Sequence, residues 1–272
     1  MKVALTGASG FVASHLLEVF TDYVVIERRD DEDTILQKLQ GVDAVFNLAG
    51  APIVKRWSKS YKKVLYSSRI DTTKKLVNAI NKSDVKHFIS TSAIGAYPND
   101  KAYDESYVGY ADDFLGKLTQ AWEKEASKCI KPTAIVRYGV ILGKDGGALA
   151  QMLTPFKLGL GGTISNGKMM TSWIDIDDLV NIYKYILENS LRGVFNATSP
   201  TPVTNYTFTK VLGVKLHRPT VLPIPEFVLK LLFGEGASVL TDSKEVYPKA
   251  LIENGFEFKY KEIESSLEHL LD

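Results

Sequence analysis

Cysteine is almost absent: Cys129 is the only one in 272 residues. A lone thiol forms no internal disulfide and builds no thiolate metal site, and its expected place on an amphipathic helix makes it a half-buried structural group. An excess of either charge is also missing, with 33 basic against 32 acidic residues. No basic tract stands out, so nucleic acid is not an expected partner. No apolar run approaches the roughly 20 residues of a membrane span. The chain enters a strand at its first residues, with no targeting segment expected. These absences lead to the expectation of a cytoplasmic protein with no membrane partner. The four histidines, His15, His87, His217 and His269, are far apart and lack metal-ligand spacing, so no metal site is expected. What remains, 45% hydrophobic and 24% charged residues, can bury a full core in one large domain or a domain with a smaller lobe.

Glycine is spaced to most effect in Thr6-Gly7-Ala8-Ser9-Gly10-Phe11-Val12-Ala13, directly behind the apolar run Val3-Ala4-Leu5. The stretch reads as a strand, a tight turn and a helix running to about Phe20. Gly7 and Gly10 allow backbone angles and close approach that a Cβ would block, so the first helix amides can face a pyrophosphate. The helix dipole favours negative charge at the same place. A strand before and an amphipathic helix after are the context a dinucleotide site demands. The third small position is Ala13, which still permits close helix–sheet packing. Thr6, Gly7, Ala8, Ser9, Gly10, Phe11 and Val12 are therefore expected beside a cofactor.

Tyr23–Ile26 forms a second strand and ends in Glu27-Arg28-Arg29-Asp30. In a dinucleotide fold this end meets the adenosine ribose, where an acid favours NAD and an arginine accommodates the 2′-phosphate of NADP. Arg28 and Arg29 against the single Glu27 favour NADP(H), and Glu27 leaves NAD(H) open. After a short helix, Asn47-Leu48-Ala49-Gly50 closes a third strand with small residues that let backbone approach a ligand, and these four join the cofactor set. Helices follow from Trp57 and over Ser68 to Asn81. His87–Ala93 is a strand ending in hydroxyls, at the carboxyl end where parallel sheets bind ligands. Ser90 and Thr91 are assigned to the cofactor, and Ser92 to a substrate oxygen. A loop rich in tyrosine and acid, 97–113, leads to an amphipathic helix over 114–127 and a strand at 133–138 that brings Arg137 to the cofactor.

After Gly139–Gly143, the glycine-rich loops Gly146-Gly147 and Gly159–Gly162 read as loops that carry function or cover a site. A short strand from Ser172, a helix capped at Asp177 or Asp178, and a strand at 193–197 come next. Beyond Pro200 the pattern turns to short helices broken by prolines. The expected fold class is α/β: a Rossmann-type doubly wound parallel sheet from 1–143 and 171–199. A smaller, mostly C-terminal lobe from 144–170 and 200–272 is expected to cover a small-molecule substrate in the cleft.

These residues resemble the extended short-chain dehydrogenase/reductase superfamily. Within it, Asn47–Ile53, Arg56-Trp57, Ser68–Thr73, Asp112–Leu115 with Trp122-Glu123, Arg137–Gly143, Asp145–Leu149, Ser172–Leu179 and Gly255–Tyr260 resemble its atypical epimerase-like family, usually labelled sugar-nucleotide epimerase. The resemblance implies NAD(P) bound at Gly7 and Gly10, Ser92 at the active-site hydroxyl position, and, by the habit of the superfamily, a homodimer. It also implies a Tyr-x-x-x-Lys pair, in which the lysine and cofactor lower the phenol's pKa for proton exchange. Here the corresponding helix reads Phe114-Leu115-Gly116-Lys117-Leu118, with neither group. Tyr97 to Lys101 and Tyr206 to Lys210 have the spacing, but the first crosses a proline turn and the second lies in the C-terminal lobe. Tyr97 and Tyr110 are carried as replacement catalytic groups, with Tyr107, Asp112 and Asp113 behind them. Trp173, Lys168 and Arg218 are the groups that could meet a nucleotide-sugar substrate. Two functions remain: an NADP(H)-preferring epimerase or oxidoreductase with a non-standard active site, and an NADP(H)-binding sensor or interaction protein without turnover.

Overall fold

Runs of four to seven residues rich in Val, Ile and Phe, too short for helices and bounded by turns, build the centre of the molecule. The computed structural model describes residues 1–272. In chain order the strands are β1 (Val3–Thr6), β2 (Tyr23–Ile26), β3 (Ala44–Asn47), β4 (His87–Ala93), β5 (Ala102–Tyr103), β6 (Thr133–Tyr138), β7 (Val140–Leu142), β8 (Met170–Thr171), β9 (Trp173–Asp175), β10 (Gly193–Ala197), β11 (Val203–Thr204) and β12 (Glu245–Val246). Six of them form a parallel sheet in the order β10-β6-β4-β3-β1-β2. The chain leaves β1 in one direction to β2, then crosses back to β3 on the other side. This reversal opens a crevice above the carboxyl ends of β1 and β3, where doubly wound sheets bind ligands.

Alternation along the strands assigns each face its helices. Val3, Leu5, Phe46, Ile89 and Val136 pack with Ala13 and Leu16 of α1 (Phe11–Val19) and with Leu179, Ile182 and Tyr183 of α7 (Ile176–Glu188). Ala4, Val45, Phe88 and Ile135 face the opposite way. They meet Ile35 of α2 (Glu32–Lys38), Leu76 and Ile80 of α4 (Ile70–Asn81) and Ala126 of α5 (Phe114–Ala126). The remaining helices used below are α3 (Lys59–Ser67), α6 (Gly147–Lys157), α8 (Asn205–Lys215) and α9 (Glu226–Phe233).

The expected helix cap at Asp177 or Asp178 lies earlier, at Asp175, whose side chain accepts from the Asp177 amide. Asp178 is turned inward, where it accepts from the amides of Lys259 and Tyr260 and ties the C-terminal segment to α7. Leu251, Phe256, Phe258, Ile263 and Leu267 then enter the same core as β1 and α7. Cys129 lies just beyond α5, not on it, half-buried against the second face. No helix is long and apolar enough to cross a membrane.

Candidate functional site

The glycine turn has the conformation its sequence demands. Gly7 sits at φ +71°, and a Cβ there would lie 2.9 Å from the Leu48 carbonyl and 3.0 Å from the Ala49 nitrogen. The Gly10 amide donates to the Gly7 carbonyl at 2.9 Å and brings the chain into α1. Side chains cap α2, α3, α5, α7 and α8, through Asp31, Ser58, Asp113, Asp175 and Thr204. At α1 no side chain caps the amides and no acid lies in the first turn. An uncapped, unshielded helix start behind a strand and a left-handed glycine is a cradle that fits a pyrophosphate.

Below the cradle, polar side chains at the strand ends are spent on one another. Thr6 Oγ1 donates to Asn47 Oδ1 at 2.9 Å and accepts from the amides of Leu48 and Ala49. Asn47 Nδ2 donates to Thr73 Oγ1 at 2.7 Å and to Ser90 Oγ at 3.3 Å. Buried polar atoms must pair, so the side chains of Thr6, Asn47 and Ser90 lock β1, β3 and β4 together and form the floor of the crevice. Thr91 Oγ1 meets the hydroxyls of Tyr138 and Tyr183, each at 3.1 Å. Burial pushes the Tyr183 phenol up to about 12 and Tyr138 well above its ordinary value.

A Cβ at Gly143 or Gly146 would overlap the Phe11 ring, so both glycines make room for Phe11. Arg28 and Arg29 are exposed beyond β2. Arg29 pairs with Glu27, while Arg28 has no acidic partner and its carbonyl accepts from Lys75. Of the residues expected to meet a nucleotide sugar, Trp173 is fully buried in the core and Arg218 donates to the Lys157 carbonyl.

The other polar cluster centres on Glu123, a residue the sequence left without a role. Glu123 lies on the inner face of α5 and is 4% exposed. Arg137 holds it through Nε at 2.8 Å and Nη2 at 2.7 Å. Ser92 Oγ donates to Glu123 Oε1 at 2.5 Å, and the Tyr110 hydroxyl donates to Oε2 at 2.7 Å. Arg137 is thus enclosed, with its guanidinium 4.9 Å from the Tyr97 ring and 5.6 Å from the Tyr110 ring. The expected place of Arg137 beside the cofactor gives way to this ion pair. Burial pulls its pKa down, yet the hydrogen bonds and charge of Glu123 outweigh that and hold it above the ordinary value. Burial and the Glu123 carboxylate push the Tyr110 phenol up to about 12.

Two of the three catalytic candidates therefore meet on one carboxylate, and the third does not. Tyr97 is fully buried, donates to Asn196 Oδ1 at 3.0 Å, and has its pKa raised by burial. Phe114 and Leu118, where the Tyr-Lys pair would stand, belong to an apolar cluster with Trp57 and Leu65. The signal for Glu123 was present: a carboxylate on the inner stripe of α5 between Thr119 and Ala126 must have a buried partner.

Asp175, Asp177 and His269 also converge, with ligand atoms within 4.8 Å of one another, although their spacing in sequence gave no hint of it. The Asp175 oxygens are taken by Ser266 and the Asp177 amide, and Lys259 lies 3.6 Å from Asp177. Both Asp175 oxygens are thus engaged in tying the start of α7 to the C-terminal helix, which fits a structural clamp.

Comparison with known proteins agrees with this geometry. Residues 3–198 match the sequence model of the NAD dependent epimerase/dehydratase family, and residues 224–270 match a domain of unknown function, DUF1731. The chain is 37% identical over 302 residues to the chloroplastic epimerase family protein SDR39U1 homolog of Arabidopsis thaliana, covering 100% of this chain and 87% of that one. It is 34% identical to the epimerase family protein YfhF of Bacillus subtilis, covering 100% and 98%. The crystal structure of human epimerase family protein SDR39U1 with NADPH superposes with a TM-score of 0.91 at 30% identity, covering 100% and 99%. With a matched model over most of its length and relatives matched end to end, the chain belongs to the NAD-dependent epimerase/dehydratase family.

Proposed function

We propose that this protein binds NADP(H) across the β1/β3 crevice and oxidises a hydroxyl, or in reverse reduces a carbonyl, of a small substrate such as a nucleotide sugar. The observation that carries the reading is the convergence of Ser92 and Tyr110 on the two oxygens of Glu123 at the carboxyl end of β4. The open amides of α1 and the Gly7 turn would hold the pyrophosphate, with backbone from Ala8 to Val12 and from Leu48 to Gly50 alongside. Arg28 and Arg29 would meet the 2′-phosphate. The human relative solved with NADPH supports the choice of cofactor. The lobe from 144–170 and 200–272 would cover the substrate.

The cofactor, when bound, supplies the hydride acceptor or donor. The chain's own part is the proton. Ser92 has one hydrogen and gives it to Glu123, so toward a substrate hydroxyl its oxygen would act as an acceptor. As a C–H hydride leaves the substrate carbon, the substrate O–H proton passes to Ser92 Oγ, and the Ser92 proton passes to Glu123 Oε1. Arg137 and Tyr110 hold Glu123 in place for that transfer. The substrate would leave as a carbonyl compound, with its hydroxyl proton held on the Ser92–Glu123 pair.

The second reading, an NADP(H)-binding protein without turnover, draws on Phe114 and Leu118 and on the raised Tyr110 phenol, which is a poor acid near neutral pH. The two are separated by incubating the NADP+-loaded protein with a panel of alcohols and nucleotide sugars, following nicotinamide absorbance and isomer conversion. Turnover lost in Ser92→Ala supports the enzyme. Tight cofactor binding with no change on any substrate supports the sensor.

A further inference from the structure

Arg69, just before α4, is a cation beside the crevice that the protein leaves without a counter-charge. Its Nη2 donates to the Ala51 carbonyl at 3.0 Å, and Nη1 reaches the Leu65 carbonyl at 3.3 Å and Ser68 Oγ at 3.4 Å. No carboxylate lies within 4.0 Å. A guanidinium carries five N–H hydrogens, so Nε and one hydrogen on Nη2 have no acceptor. Nε and Nη2 form the edge of the fork through which a guanidinium takes a phosphate or carboxylate by two parallel bonds. Trp122 covers another side, with its ring 5.3 Å from the guanidinium carbon. Burial pulls the guanidinium down to about 10.

The guanidinium lies beside the ligand crevice. A Cβ at Gly50 would stand 3.0 Å from Nη2, 3.1 Å from Cζ and 3.4 Å from Nε, so the guanidinium packs in the space that the missing side chain leaves. Gly50 is exposed and follows Leu48 and Ala49, whose backbone packs on Gly7 of the phosphate turn. Arg69 thus stands on the β3 side of the crevice, beyond the pyrophosphate cradle.

We propose that Arg69 completes an oxyanion site at the β3 side of the crevice and takes a phosphate of the nucleotide bound there, either the cofactor's or that of a nucleotide-linked substrate. The inference rests on the dinucleotide-binding reading above and needs no turnover. Calorimetric titrations test it with two probes, NADPH added to the free protein and UDP added to NADPH-saturated protein, each at low and high salt. The variants are Arg69→Met, Arg69→Lys and Gly50→Ala.

Arg69→Met should weaken one probe by about 10- to 100-fold, the scale of hydrogen bonds to a charged group, and flatten its salt dependence. Arg69→Lys should recover part of the loss. Gly50→Ala, which keeps the cation but pushes it aside, should weaken the same probe. Loss of NADPH identifies the cofactor as the source, and loss of UDP with NADPH retained identifies the substrate. Unchanged affinities and salt slopes in folded Arg69→Lys and Gly50→Ala overturn the proposal, even where Arg69→Met does not fold. Wild-type protein that binds no NADPH overturns the underlying cofactor reading instead, before any substitution is made.

Discussion

Replacing Glu123 by Gln removes the charge at the centre of the buried cluster while keeping the side-chain length. Arg137 is 4% exposed and takes both of its hydrogen bonds to Glu123 from Nε and Nη2, so the substitution leaves a guanidinium buried without its anion. Breaking a buried pair from one side costs about 3–5 kcal/mol. Glutamine keeps an oxygen that can accept from Ser92 or Tyr110 but not both forks of Arg137, which places the expected loss at about 3 kcal/mol. At roughly 2–4 °C per kcal/mol for a chain of this size, the thermal midpoint should fall by about 6–12 °C.

The double variant Glu123→Gln with Arg137→Met removes both charges. It should be less destabilised than the sum of the two singles by more than about 1 kcal/mol, the mark of groups in contact. Urea denaturation of the wild type, both singles and the double closes the cycle. A Glu123→Gln protein that unfolds within about 0.5 kcal/mol of the wild type, the range of ordinary surface changes, would refute the buried-pair reasoning.

Gly10→Val should leave the fold intact, because Gly10 sits at φ −83° and ψ 157°, where valine is comfortable, yet it fills the space over the α1 amides. The rise in thermal midpoint with NADPH should disappear. Gly146→Ala should destabilise by about 1–3 kcal/mol through overpacking against Phe11, and Phe11→Leu in the same chain should restore part of it, as read by urea midpoints. Burial raises Asp175 to about 6 from an ordinary 3.8, so the folded state holds its proton more tightly than the unfolded chain. That contribution is complete below about pH 4 and is lost as pH rises through about 6, a difference of about 3 kcal/mol at 1.36 per pH unit. Asp175→Asn keeps the helix cap and should flatten this slope in midpoints measured across the range.

The sheet was legible because its signals are local. Val3, Leu5 and Gly7 alternate and turn within a few residues, and a left-handed glycine at position 7 is required by backbone geometry alone. The edge of the cofactor crevice was legible for the same reason. What the sequence could not show is which polar groups answer one another across 30 or 40 positions. Thr6 and Asn47 read as cofactor contacts because they end strands, and only the folded chain shows their side chains spent on each other. Gly146 reads as part of a loop that covers a site, while the packing partner it shares with Gly143, Phe11, lies more than 130 residues earlier. Glu123 was visible as an odd residue on an apolar stripe, but its meaning depends on Ser92, Tyr110 and Arg137 arriving from three other elements.

Helix α5 carries no tyrosine, and the hydroxyls that gather beside its Glu123 act in their own direction. A phenol beside an ammonium is held ready to ionise and serves as acid or base. On α5 Phe114 packs against Trp57, and the hydroxyls of Ser92 and Tyr110 point their hydrogens at a carboxylate instead. Such hydroxyls offer lone pairs to a substrate, so an alcohol, which brings its own hydrogen, is the better match than a carbonyl, which needs one. A substrate search should therefore begin with alcohols and NADP+. Once a substrate is found, Ser92→Ala and Glu123→Gln should lower kcat while NADP+ affinity stays within about 2-fold, since neither group lines the pyrophosphate cradle. Equal loss of cofactor affinity in both variants would mean that the cluster shapes the crevice and takes no part in moving the proton.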